Sequence, residues 1–440
     1  MPLMTHFIIM HNKFKTLVLL PILLPGLLSS LLISSHAIAG GPLVLEGPTG
    51  NTPVNYLNPT ITLHIENGTL GLLSNAAADT LVQQAFALWS NVNTSSINLV
   101  IDETQINLDV NIDNFDTYLP TIDEKTYNDD DNLNPVVYDN NGEIIDAFFG
   151  AGQSDFTIGF AASILNIGAS HFNEGYSVIN GKDLGLSDSN LKLLIAHEIA
   201  HFTGLDHTQV NINNQESDFR FPFICSTSNR EDYPVMYPFI CRNIETLHSD
   251  DISALSALYP SADINNHFGI IEGHFVDESG TAILGANIWA ENITTGETVS
   301  IVSDYLMQGT GFYKLYLPAG NYTLHANSIN ILFNGGSGIG PYASSIFDVS
   351  FQSPHPITPV TYQGLTPGNI EVITIAAHQT TSINFSATGT ATETVTVTET
   401  VNSKIDTSGG SGSIHLISLF LLGVLLITAR RAKNYSALQL

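Results

Sequence analysis

The segment His197-Glu198-Ile199-Ala200-His201-Phe202-Thr203-Gly204-Leu205-Asp206-His207 constrains this chain more than any other. Side chains four apart on a helix share a face, so His197 and His201 direct their imidazoles at one point. Glu198 lies about 100° further round the same helix, close to that point without being a ligand. Gly204 accepts positive φ without steric cost, so the helix can stop and the chain can turn back with His207. Three neutral imidazoles and one open position describe a catalytic zinc site, not a closed structural one. With 15 His in 440 residues, chance produces His-Glu-x-x-His roughly 0.02 times per chain and the full pattern about 5 times in 100,000.

Downstream, Val235-Met236-Tyr237-Pro238 is followed by Leu247-His248-Ser249-Asp250-Asp251-Ile252 through Leu258-Tyr259-Pro260. Together with the histidine segment these motifs resemble the metzincin metalloproteases, in their matrixin form. The resemblance spans roughly residues 44–260, with its specific motifs at the end of that range. It implies an α+β catalytic domain, a mixed sheet with three helices, that hydrolyses peptide bonds in polypeptide substrates. It implies His197, His201 and His207 as zinc ligands, Glu198 as general base and Met236 as the apolar floor beneath the metal. Tyr237 and Pro238, just after the methionine, are the candidate walls of a substrate pocket. Because position 238 is Pro, the tyrosine that ligates the metal in some metzincins is missing. Two departures stand out. Between His207 and Met236 lie 28 residues, where matrixins have a short link, and no cysteine precedes the zinc motif to act as a latency switch.

The only two cysteines, Cys225 and Cys241, bracket the methionine. A disulfide between them would pin that loop and contribute about 3 kcal/mol in the chain-entropy model, against an alternative of two buried thiols. Export argues for the disulfide. Residues 1–39 carry Lys13 and Lys15, an apolar run from Leu17 to Ile33 and Ala37-Ile38-Ala39, the pattern of a secretory signal peptide. At the other end Ile414–Ala429 is apolar and Arg430, Arg431 and Lys433 follow, so this helix is either a membrane anchor or a sorting tail. With the preceding Gly409-Gly410-Ser411-Gly412-Ser413, it resembles the Gly-Gly type of sorting tail of Gram-negative bacteria, which implies removal by a rhomboid-like protease. Between those ends, residues 40–408 hold eight of the 13 basic residues and all 41 acidic ones, a net charge of −33. Such a chain has no electrostatic footprint for nucleic acid.

Within 44–260, Ile61–Ile65 alternates like a strand, and Leu81, Val82, Ala85, Phe86 and Trp89 recur at helical spacing after Ser74. Further helices are expected from Ser187 to Phe202 and from Ser249 to Pro260. Residues 102–146 hold 13 of the 41 acids and one basic residue. They read as a solvated, loop-rich insertion or as a calcium site using Asp129, Asp130, Asp131 and Asp139, since calcium takes several hard oxygen ligands. From 267 to 387, short strands at 270–276, 283–290, 299–302, 313–317 and 322–326 suggest an antiparallel β-sandwich. The stretch 273–326 resembles the carboxypeptidase-regulatory-like sandwich domain, which implies an accessory role. Residues 388–413 read as a Thr/Ser/Gly-rich linker, although Thr394–Val401 alternates like a strand. The sequence therefore predicts a secreted or surface-tethered zinc endopeptidase. Its competitor is a non-catalytic surface adhesin that retains a metal site, against which the intact Glu198 argues.

Overall fold

The structure, a computed structural model, describes residues 41–46, 51–104, 106–119, 131–164, 170–183, 185–210, 225, 230–329, 333, 339–341 and 357–399. The signal segment 1–39, the apolar run 414–429 with its basic tail, and Asp129 and Asp130 lie outside these residues. Among the described residues no helix is long and apolar enough to cross a membrane.

The chain opens on a small antiparallel pair, β1 (Leu45–Glu46) and β2 (Thr52–Pro53). A five-stranded mixed sheet follows, built from β3 (Thr60–Ile65), β4 (Asn98–Asp102), β5 (Pro135–Asp139), β6 (Gly159–Ile164) and β7 (Glu174–Asn180). Its order is β4-β3-β5-β7-β6, parallel except for the antiparallel edge strand β6. Parallel neighbours need crossovers, and α1 (Asn75–Ser90) supplies the one between β3 and β4. Its Ala78, Val82, Ala85, Phe86 and Trp89 form the buried stripe that the helical spacing predicts. The Trp89 indole N–H donates to Ala196 O at 2.8 Å, tying α1 to the long helix α3 (Asp188–Phe202).

The acid-rich stretch is not wholly a solvated insertion. Its Pro-Val-Val-Tyr-Asp run is β5, buried at all five positions in the middle of the sheet, and α2 (Glu143–Phe149) follows. A short strand covered on both faces shows no alternation, which is why its polar neighbours masked it.

After α4 (Ser249–Leu258) and the short α5 (Ile264–His267) comes the sandwich. The five expected strands are present as β8 (Phe268–Val276), β9 (Ala286–Asn292), β10 (Thr298–Val302), β11 (Phe312–Pro318) and β12 (Gly320–Ser328). To them the fold adds β13 (Val360–Thr361), β14 (Ile373–Ile375), β15 (Gln379–Ser382), β16 (Phe385–Ser386) and β17 (Thr396–Glu399). One sheet runs β10-β9-β12-β13 with β14 also on β12; the other runs β11-β8-β15-β17 with β16 also on β8. Two expectations need correcting. The sandwich is not purely antiparallel, because β15 and β16 both pair with β8 in parallel. Nor is all of 388–413 linker, since β17 completes an edge by pairing antiparallel with β15.

The described residues up to Glu399 form one compact unit. The sheet–helix part and the sandwich share an apolar cluster, in which Tyr233, Tyr237 and Cys241 meet Val302, Ile329, Phe333 and Ile339. Helix α4 is bonded to the sandwich as well: Ser253 Oγ donates to Tyr316 O at 2.8 Å on β11.

Candidate metal centre

Helix α3 begins at Ser187, whose side chain accepts the Asn190 N–H, and it delivers His197, Glu198 and His201 in its last two turns. It ends at Phe202, two residues before Gly204, which sits at φ +91°. A Cβ there would stand 2.7 Å from Phe172 Cε2, so both conformation and space require glycine. The chain then passes through Leu205 and Asp206 to His207. Residues 41–43 line this turn, with Leu43 N–H donating to Gly204 O at 2.6 Å and Asp206 N–H to Gly41 O at 3.2 Å.

The three Nε2 atoms form a nearly equilateral triangle: 3.1 Å for His197–His201, 3.1 Å for His197–His207 and 3.0 Å for His201–His207. These are not hydrogen bonds between the rings. His197 Nδ1 lies 2.7 Å from Val235 O and His201 Nδ1 lies 2.8 Å from Leu205 O, contacts that only an Nδ1–H can make to a carbonyl. The Nε2 atoms of those two rings therefore carry lone pairs, aimed at the same point. Burial holds both imidazoles neutral, pushing His197 down to about 4 and His201 to about 3, where His197 adds to the effect. Converging lone pairs repel unless a cation lies among them. Nitrogens 2.0–2.1 Å from one tetrahedral zinc are about 3.3 Å apart, so the triangle fits such an ion with slight relaxation. Among the described residues this is the group of His, Cys, Asp and Glu side chains that could hold a metal.

Glu198 is buried beside them, and burial alone pushes its carboxyl up to about 8. A divalent cation nearby favours the ionised form and opposes that shift. The carboxylate has room because residue 159, at the start of edge strand β6, is glycine. A Cβ there would come within 3.0 Å of Glu198 Cγ and 3.2 Å of its Oε1. Nothing in the sequence around Gly159 signals this role.

The methionine loop is clamped from α4. Asp251 Oδ2 accepts the Val235 N–H at 2.8 Å and Oδ1 accepts the Met236 N–H at 3.0 Å, while Oδ2 also takes the His248 N–H. Val235 O in turn holds His197, so Asp251 orients a candidate ligand through one residue. Read from sequence, Asp250 and Asp251 are merely acids in the first turn of a helix. Met236 is buried in the core that α3 also faces. Cys225 and Cys241 are bonded, with S–S 2.01 Å. Tyr237 is buried in the apolar cluster shared with the sandwich. It is 5% exposed, and its ring meets Tyr233 at 4.9 Å and Phe333 of the sandwich at 5.3 Å. Pro238 beside it is half-buried.

The described part of the calcium expectation does not assemble. Asp131 lies four residues before β5, whereas Asp139 is the last residue of that strand. Asp131 accepts the Leu133 N–H, and Asp139 Oδ2 accepts the Ile145 N–H in the first turn of α2.

No family model and no curated protein matches the chain. Among solved structures, the 5-hydroxyisourate hydrolase of Klebsiella pneumoniae is similar at 15% identity and a TM-score of 0.15, covering 30% of this chain and 97% of that one. A likeness of that size carries no argument.

Proposed function

We propose that this chain is an exported, zinc-dependent endopeptidase of metzincin type. The observation that carries the proposal is the triangle of Nε2 atoms at 3.0–3.1 Å with a buried carboxylate one residue from its first corner. His197, His201 and His207 would hold zinc, which supplies Lewis acidity at an open coordination position. Val235 O and Leu205 O keep two of the imidazoles in the ligating tautomer. Glu198 accepts the proton of the attacking water and returns it to the leaving amine. Among the described residues strand β6 is the sheet edge beside α3, and an edge of that kind suits an extended polypeptide laid along it. The disulfide supports export, because such bonds persist in oxidising compartments.

The test uses the full chain, with zinc content and casein hydrolysis measured before and after chelation. Zinc-dependent cleavage that Glu198→Ala abolishes while retaining zinc supports the proposal. Zinc binding without any cleavage by the parent favours the adhesin reading instead.

A further inference from the structure

The third histidine is held differently from the other two. Residues 206–210 have no secondary structure of their own, yet Asp206, Thr208, Gln209 and Val210 are each 2% exposed or less. Their polar groups find partners across the sandwich. Thr208 Oγ1 lies 2.9 Å from Ser300 Oγ on β10, and the Val210 N–H donates to the same oxygen at 3.2 Å. Gln209 Nε2 donates to Ser328 O at 3.0 Å, and Asn287 Nδ2 on β9 donates to Val210 O at 2.7 Å. Asp206 Oδ2 accepts the Gly340 N–H, also from the sandwich part, at 3.2 Å, and its Oδ1 accepts the neighbouring His207 N–H at 2.6 Å. Val210 itself stands at φ +44°, a conformation that a β-branched residue adopts only when its surroundings impose it.

Ser300 is the hub of this contact. Its Oγ meets Thr208 and Val210, and its N–H donates to Asp250 Oδ1 at 2.6 Å, at the start of α4. Thr208 N–H donates to Met236 O at 2.8 Å, so the segment fastened to Ser300 also carries the methionine loop. Every hydroxyl and carboxylate in this group is buried, where a lost partner leaves an unsatisfied polar atom.

We infer that the β-sandwich is an integral part of the metal centre, with Ser300 as a positioning residue that sets His207 through Thr208. The inference rests on the three histidines being a metal site, and it gives the sandwich a role beyond the accessory one that the resemblance implies. Partners that orient ligands in this way typically change metal affinity about 10–100-fold when removed.

The experiment measures zinc affinity of the full chain by chelator competition, and the visible d–d spectrum after cobalt loading. The variants are Ser300→Ala, Thr208→Val, the double variant, and Ser386→Ala on β16 as a control within the sandwich. Ser300→Ala and Thr208→Val should each weaken zinc binding about tenfold or more and alter the cobalt spectrum. The double variant should lose no more than the worse single one, because both remove the same bond. Ser386→Ala should match the parent. Thr208→Val is isosteric and reads that bond even where Ser300→Ala lowers the folded fraction. Parental affinity and spectrum in both single variants overturn the inference while the metal centre stands. Equal weakening by Ser386→Ala overturns it too, since the effect would then be general destabilisation. A parent that binds no zinc overturns the underlying reading, and the inference with it.

Discussion

His197 and His201 stand one turn apart on α3, aimed by the helix itself, whereas His207 rides on an extended segment with no internal hydrogen-bond ladder. The first pair needs only the 3.6-residue period and two carbonyls, Val235 O and Leu205 O, to fix the rings. His207 instead depends on a glycine turn, residues 41–43, the methionine loop and three sandwich strands. Local order is thus supplied by backbone periodicity in one case and by long-range packing in the other. A helix-borne site tolerates distant change, and a segment-borne one transmits it.

Four measurements sharpen that contrast. The largest effect belongs to the helix. Glu198→Ala should reduce peptide hydrolysis by about 10²–10⁴-fold with zinc content unchanged, read by steady-state kinetics and metal analysis. Loss of zinc in parallel would instead make Glu198 part of the metal-holding set.

Second comes the buried acid behind Ser300. Burial pushes the Asp250 carboxyl up to about 7 from 3.8, opposed by the Ser300 N–H. The folded protein then binds more protons than the unfolded chain between those values. Asp250's contribution is therefore fully present below about pH 4 and is lost as pH rises toward 7, by at most about 4 kcal/mol. Asp250→Asn should flatten this dependence in denaturant midpoints taken from pH 4 to 8, and an unchanged slope would place the proton elsewhere.

Third, removing the disulfide with Cys225→Ser and Cys241→Ser should cost about 3 kcal/mol in the chain-entropy account. It should also weaken zinc binding, because the loop it closes contains Val235 and Met236. Lost stability with parental zinc affinity would confine the bond to a stapling role.

The smallest effect is expected where helix hands over to segment. Gly204→Ala forces a Cβ onto φ +91° and against Phe172, which should cost about 2 kcal/mol in urea unfolding. Zinc affinity should fall with it, since His207 follows three residues later.

The contrast also explains what could be read before the fold was known. Spacing alone located α1, α3 and α4 and the five strands at the start of the sandwich, because each shows its face in its own residues. Strand β5 escaped because a doubly covered strand has no alternation, and β15 and β16 escaped because they are short and completed by partners far away. Strand β17 showed its alternation within Thr394–Val401 but reads as linker until β15 pairs with it. Asp251, Gly159 and Ser300 escaped for a related reason. Their roles lie in contacts with residues 15, 39 and 92 positions away, at Met236, Glu198 and Thr208.

By itself the sequence determined which residues converge on the candidate metal centre, since helical periodicity and one glycine fix His197, Glu198, His201 and the turn. The Ser300 anchor, the Asp251 clamp and the burial of Tyr237 were decided only by the tertiary structure. Such contacts depend on which surfaces meet, and a one-dimensional pattern carries no record of that.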